Sequence, residues 1–103
     1  AYLYETYQPA VLRMIRDVCK TAGKAGITVG MCGEAAADPA LTPCLIAFGL
    51  DEFSVNPEKV LATRKNLSLW SSEDAIAVAD KVMSLGTAEE VKQYLDSVKK
   101  EVG

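Results

Sequence analysis

The chain has 103 residues, half of them apolar and 24% charged, with a net charge of −3, three cysteines and no histidine. These values bound it to one small folded domain with no basic footprint for nucleic acid or an anionic membrane, and nowhere do the roughly 18 apolar residues of a membrane span run together. Without histidine, a Cys/His or Ser/His/Asp nucleophile, a phosphohistidine and histidine-bound zinc are excluded, and the odd, unspaced cysteines read as reduced thiols in the cytoplasm.

The first ten residues, rich in tyrosine, read as an incoming segment. Pro9 suits the first turn of a helix whose apolar positions are Val11, Leu12, Ile15, Val18, Cys19 and Ala22, and either Gly23 or Gly26 ends it. Ile27 to Cys32 is apolar at nearly every position and predicts a short strand buried on both faces. After a loop of Gly33, Glu34 and three alanines, Asp38 as cap and Pro39 at the first position predict a helix to about Phe48, closed by Gly49. A second strand is predicted over about Asp51 to Val55. Asn56-Pro57 then repeats the cap-plus-proline signal for a helix carrying Val60, Leu61 and Arg64 and ending near Asn66.

The tail reads as two helices. Ser71 or Ser72 caps the first, with Ala75, Ile76, Ala79, Val82 and Met83 on one face and Gly86 ending it. Thr87 with Glu90 forms a capping box for the second, with Val91, Tyr94, Leu95 and Val98 inward as core or interface. The seam between the two regions falls near Leu67 to Ser72. Strand, helix, strand, helix with short connections predicts an α/β fold built of parallel βα units. Two parallel strands leave both sheet edges unpaired, so the pattern predicts a piece of a larger β/α fold.

Chemistry in such folds sits at the carboxyl ends of strands, and among the three cysteines Cys32 alone is predicted there. Cys32 is the candidate catalytic residue; the alternative is a small buried hydrophobe closing the strand. Cys19 and Cys44 fall within helices as core or boundary residues. Glu34 reads as a loop-fixing acceptor, Asp38 and Asn56 as caps, Asp51 and Glu52 as charges at a strand start, and Arg64 and Lys65 as a solvated helix face.

Leu3-Tyr4 with Tyr7-Gln8-Pro9, then Gly30-Met31-Cys32-Gly33-Glu34, then Gly49-Leu50-Asp51-Glu52-Phe53-Ser54 form an ordered set. Together they resemble the C-terminal end of the enzyme I family, the phosphoenolpyruvate (PEP)–protein phosphotransferases of the bacterial sugar phosphotransferase system. The similarity runs from about Tyr2 to Glu101. It implies that residues 1–103 are the C-terminal portion of a PEP-binding (β/α)8 TIM barrel, with βα units over about 9–66 and closing helices over about 71–101. It also implies PEP and pyruvate as ligands, Mg²⁺ as cofactor and a homodimer. Phosphoryl would pass to a histidine in a separate N-terminal domain and on to the carrier protein HPr.

By the same resemblance, Cys32 is the acid that protonates the methylene carbon of enolpyruvate, and Gly33 beside it is a substrate-binding position. A thiol of ordinary pKa about 8.5 is protonated at neutral pH and can donate; a helix N-terminus would lower that value and apolar surroundings would raise it. The family's substrate-holding arginines, metal ligands and phosphorylated histidine match no residue here. No metal ligand is therefore expected in this chain, which alone is expected to be inactive. Ala37 stands where the family commonly has glycine, a position that would strain an alanine if it needed a positive φ. Val55-Asn56 replaces the commoner Met-Ser, and Gly23 stands where relatives often have histidine. Two alternatives stay open: the barrel of a pyruvate phosphate dikinase or PEP synthase, and a non-catalytic structural or dimerising module.

Overall fold

A proline inside the first turn and a glycine past the last bracket the first helix, α1 (Pro9–Ala25). Pro9 lacks an N–H where a helix start would leave one unpaired. Gly26 adopts φ 73°, from which its N–H reaches the carbonyls of Ala22 and Gly23. The computed structural model describes residues 6–26, 30–32, 37–50, 52–54 and 57–100, with 30–32 and 52–54 described by their backbone. After α1 come β1 (Gly30–Cys32), α2 (Thr42–Ala47), β2 (Glu52–Ser54), a 3₁₀ turn (Pro57–Lys59), α3 (Val60–Ser68), α4 (Ser72–Met83) and α5 (Ala88–Val98).

Two of these helices carry side-chain caps. Ser71 Oγ accepts the Asp74 N–H at 3.1 Å, and Thr87 Oγ1 accepts the Glu90 N–H at 3.2 Å. Glu90 turns back so that its Oε1 accepts the Thr87 hydroxyl at 3.1 Å and the Gly86 N–H at 3.3 Å, a variant of the expected capping box in which the carboxylate takes the N–H one residue before the cap. Glu73 and Asp74 in the first turn of α4, and Glu89 and Glu90 in that of α5, oppose the positive ends of their helix dipoles.

The core lies between helices. Leu41, Cys44 and Leu45, from α2 and the turn before it, pack on α4, which turns Ala75, Val78, Ala79 and Val82 toward them. Leu12 of α1 and Val91 and Leu95 of α5, all at 0% exposure, join the same cluster. Trp70, between α3 and α4, closes one end at 9% exposure. The Lys100 ammonium stands 4.5 Å from the Trp70 ring centroid, 3.4 Å from the Leu69 carbonyl and 3.8 Å from the Asp74 carboxylate. That contact joins the chain beyond α5 to the entry of α4.

The expected fold class, an α/β portion of a (β/α)8 barrel, is corrected by this architecture. The described molecule is a helical assembly, with its core drawn from the helices and from Tyr7, Ala40, Leu41 and Trp70 next to them. β1 and β2 have three residues each and pair in parallel with each other, Gly30 opposite Glu52, Met31 opposite Phe53 and Cys32 opposite Ser54. Among the described residues they form a two-stranded sheet, which is no barrel wall. The physical reason is that the apolar helix faces satisfy one another: α4 packs on α2, α1 and α5.

Smaller corrections follow the same logic. The helix expected from Asp38-Pro39 begins three residues later, because residues 39–41 form a turn and α2 starts at Thr42. α3 runs to Ser68, beyond the expected end near Asn66. Val18 and Ile76, expected on apolar helix faces, are 53% and 50% exposed, Leu61 is 65% exposed, and Val78 takes the inward place on α4. Of the expected strand over Ile27 to Cys32, residues 27–29 lie outside the described residues, as do Asp51, Val55 and Asn56.

Candidate functional site

The candidate site is built outward from the end of β1. Parallel pairing brings the carboxyl ends of β1 and β2 to one edge, so the backbones of Cys32 and Ser54 leave the sheet side by side. Of Cys32, the structure describes the backbone position at that edge. Gly33 and Glu34 lie outside the described residues, as do Ala35 and Ala36.

Beyond the residues that are not described, Asp38 is held by several hydrogen bonds. One carboxylate oxygen, Oδ1, accepts the Ala40 N–H at 3.0 Å, and the Asp38 carbonyl accepts the Leu41 N–H at 3.1 Å and the Thr42 hydroxyl at 3.4 Å. Asp38 thus caps the turn over 39–41 that leads into α2. Leu41, the residue preceding α2, provides no side-chain cap. The second oxygen, Oδ2, accepts the hydroxyl of Tyr7 at 2.6 Å, 31 residues away in sequence. Tyr7 is 2% exposed, and the Lys92 ammonium of α5 stands 5.4 Å from its ring centroid. The sequence reads Tyr7 as part of an incoming segment, whereas the structure places it in the core and bonds it to Asp38. Ala37 raises no strain, since among the described residues no non-glycine has a positive φ.

The other two thiols are structural. Cys19 is 6% exposed and Cys44 0%, and burial pushes the Cys44 thiol up to about 12, far from any role as a nucleophile or acid at neutral pH. Among the described residues no three Cys, Asp or Glu side chains converge as a metal site would require. The described residues therefore do not supply a shell for the expected Mg²⁺, and no step below runs through that ion. An open groove of about 750 Å³ lies along α1 between residues such as Arg13, Met14, Val18 and Ala22. Its described lining is one exposed face of α1. No described helix is long and apolar enough to cross a membrane.

Residues 1–71 match the model of the family described as PEP-utilising enzyme, PEP-binding domain. The chain belongs to that family. Tyr7, Cys32 and Asp38 all lie within the family's match, which stops one residue before α4 begins. The chain is also similar to phosphoenolpyruvate-protein phosphotransferases of Bacillus sp. (strain S) and Geobacillus stearothermophilus, each 47% identical over 95 residues, covering 92% of this chain. A third relative of that name, from Bacillus subtilis (strain 168), is 42% identical over 95 residues and likewise covers 92% of this chain. The chain spans 16% of the length of the first two relatives and 17% of the third. The similarity to these PEP-utilising enzymes thus runs past the family match and takes in residues of α4 and α5.

Proposed function

We propose that this chain is a section of a PEP–protein phosphotransferase, and that Cys32 supplies the proton that turns enolpyruvate into pyruvate. The observation that carries the reading is the similarity over 92% of the chain to relatives named for that activity. The place of Cys32, at the carboxyl end of a strand within the PEP-binding match, supports it.

In this reaction phosphoryl leaves PEP for a histidine, which this chain does not contain. The P–O bond to the enol oxygen breaks and leaves the enolate of pyruvate. The electron pair of that enolate takes the proton from the Cys32 Sγ–H at C3, a new C–H bond completes the methyl group, and the thiolate regains a proton from solvent. A thiol is well matched to this step, because its ordinary pKa of about 8.5 keeps it protonated at neutral pH while leaving it acidic enough to donate. Gly33, next in the chain, is the proposed substrate-binding position, where the absence of a side chain would let the ligand approach the backbone.

The acceptor histidine, the Mg²⁺ ligands and the onward relay to HPr belong, in this proposal, to the remainder of the phosphotransferase, which also forms a homodimer. The test is pyruvate release from PEP by the phosphotransferase carrying Cys32→Ala. Removing a general acid is expected to slow it by about 10²–10⁴-fold with the circular dichroism spectrum unchanged. Turnover close to that of the unmodified enzyme would overturn the reading.

A further inference from the structure

We propose that α5 and the two residues after it form a strap that opens from the other helices as a unit. Its closed position is set by two lysines seated on aromatic rings, Lys92 on Tyr7 and Lys100 on Trp70. The inference is independent of the role assigned to Cys32.

Both rings lie within residues 1–71, the span of the family match, and both cations come from beyond it. The Lys92 ammonium stands 5.4 Å from the Tyr7 ring centroid, and the Lys100 ammonium 4.5 Å from that of Trp70. Both distances fall inside the roughly 6 Å over which an aromatic face attracts a cation. The rings are fixed targets. Tyr7 is 2% exposed and gives its hydroxyl to Asp38 at 2.6 Å, while Trp70 sits at the end of the core. The cations are steadied in turn. Lys92 pairs with Asp96 one turn along α5 at 2.8 Å, and Lys100 reaches the Leu69 carbonyl at 3.4 Å and the Asp74 carboxylate at 3.8 Å.

The apolar stripe of α5 supplies the bulk of the hold, through Val91 and Leu95 at 0% exposure. Such a stripe is non-directional and leaves the helix free to slide or roll on its neighbour. One cation on a ring beside the helix and a second on a ring past its end remove both freedoms. Among the described helices α5 packs chiefly on α4, and α4 meets α2 and α1 through contacts that do not involve α5. The strap can therefore lift while those contacts stay closed, which is local opening rather than unfolding. Opening removes the cations from the Tyr7 and Trp70 rings, so the closed population depends on the two charges.

The test is hydrogen–deuterium exchange with peptide mass mapping on the full chain, comparing wild type, Lys92→Gln, Lys100→Gln, the double variant and the matching Lys→Arg variants. Each neutralised lysine is expected to speed exchange across α5 by about 2–5-fold, and the pair by about 5–25-fold, with α1, α2 and α4 unchanged. Arginine keeps a cation that stacks on an aromatic face, so the Lys→Arg variants are expected to stay within about twofold of wild type. Trp70 is the chain's single tryptophan and gives a second readout. Lys100→Gln is expected to shift its emission to the red and to strengthen its quenching by acrylamide, with the circular dichroism spectrum unchanged. Three results would each overturn the proposal: unchanged α5 exchange in the double Gln variant, an equal rise in all the helices, or Arg variants that exchange as fast as the Gln variants.

Discussion

Burial of a single sulfur gives the molecule a defined response to alkali. The Cys44 thiol is pushed up to about 12 from an ordinary 9.0 because desolvation penalises its thiolate. The unfolded chain gives up that proton at lower pH than the folded one. The stabilisation is therefore fully present below pH 9.0 and is lost as pH rises toward 12. Between those values Cys44 lowers folding stability by about 1.4 kcal/mol per pH unit. Urea denaturation at about pH 8 and about pH 10.5 checks this: wild type loses more stability between the two than Cys44→Ala does. A variant with the same alkaline loss would place the effect elsewhere. Cys19 and Cys44 were legible in the sequence as core residues, since each falls on the apolar stripe of a helix. Tyr7 and Trp70 were not, because their roles depend on partners 31 and 30 residues away, Asp38 and Lys100.

At the scale of elements, the side-chain caps of the two tail helices were read better than the helix faces. Ser71 and Thr87 cap as expected because a cap is a local contact, made to a backbone N–H three residues on. Thr87→Ala removes both the acceptor for the Glu90 N–H and the hydroxyl given to Glu90, and is expected to cost about 1 kcal/mol, read as a shifted urea midpoint at unchanged slope. Faces are set by neighbours instead. On α4 the expected face placed Ile76 with Ala75 and Ala79, whereas packing against α2 turns Val78 inward and leaves Ile76 half exposed. Two substitutions test that choice. Leu45→Ala, at the centre of the α2–α4 contact, is expected to cost about 2–5 kcal/mol; Ile76→Ala is expected to stay within about 0.5 kcal/mol. Equal costs would contradict the assigned faces.

At the scale of the whole molecule, the element order was legible and the architecture was not. A sequence of βα units suggests a sheet as the organising layer, yet the two described strands reach three residues each and the described core forms where α4 meets α2, α1 and α5. Hydrophobic periodicity states that a face is buried; it does not state whether a sheet or another helix covers it. The candidate site is a reading from residue type and place, a cysteine with a glycine after it at a strand end, and the family match covers the same residues. The central claim is that the Cys32 thiol delivers its proton to one face of enolpyruvate. PEP carrying deuterium at one C3 position, turned over by the phosphotransferase in tritiated water, tests it most directly. With Cys32 present, the account predicts a pyruvate methyl group of a single handedness, and with Cys32→Ala a racemic one, because enolpyruvate released to water is protonated from both sides. A racemic methyl from the unmodified enzyme, or the same single hand from both proteins, would contradict it.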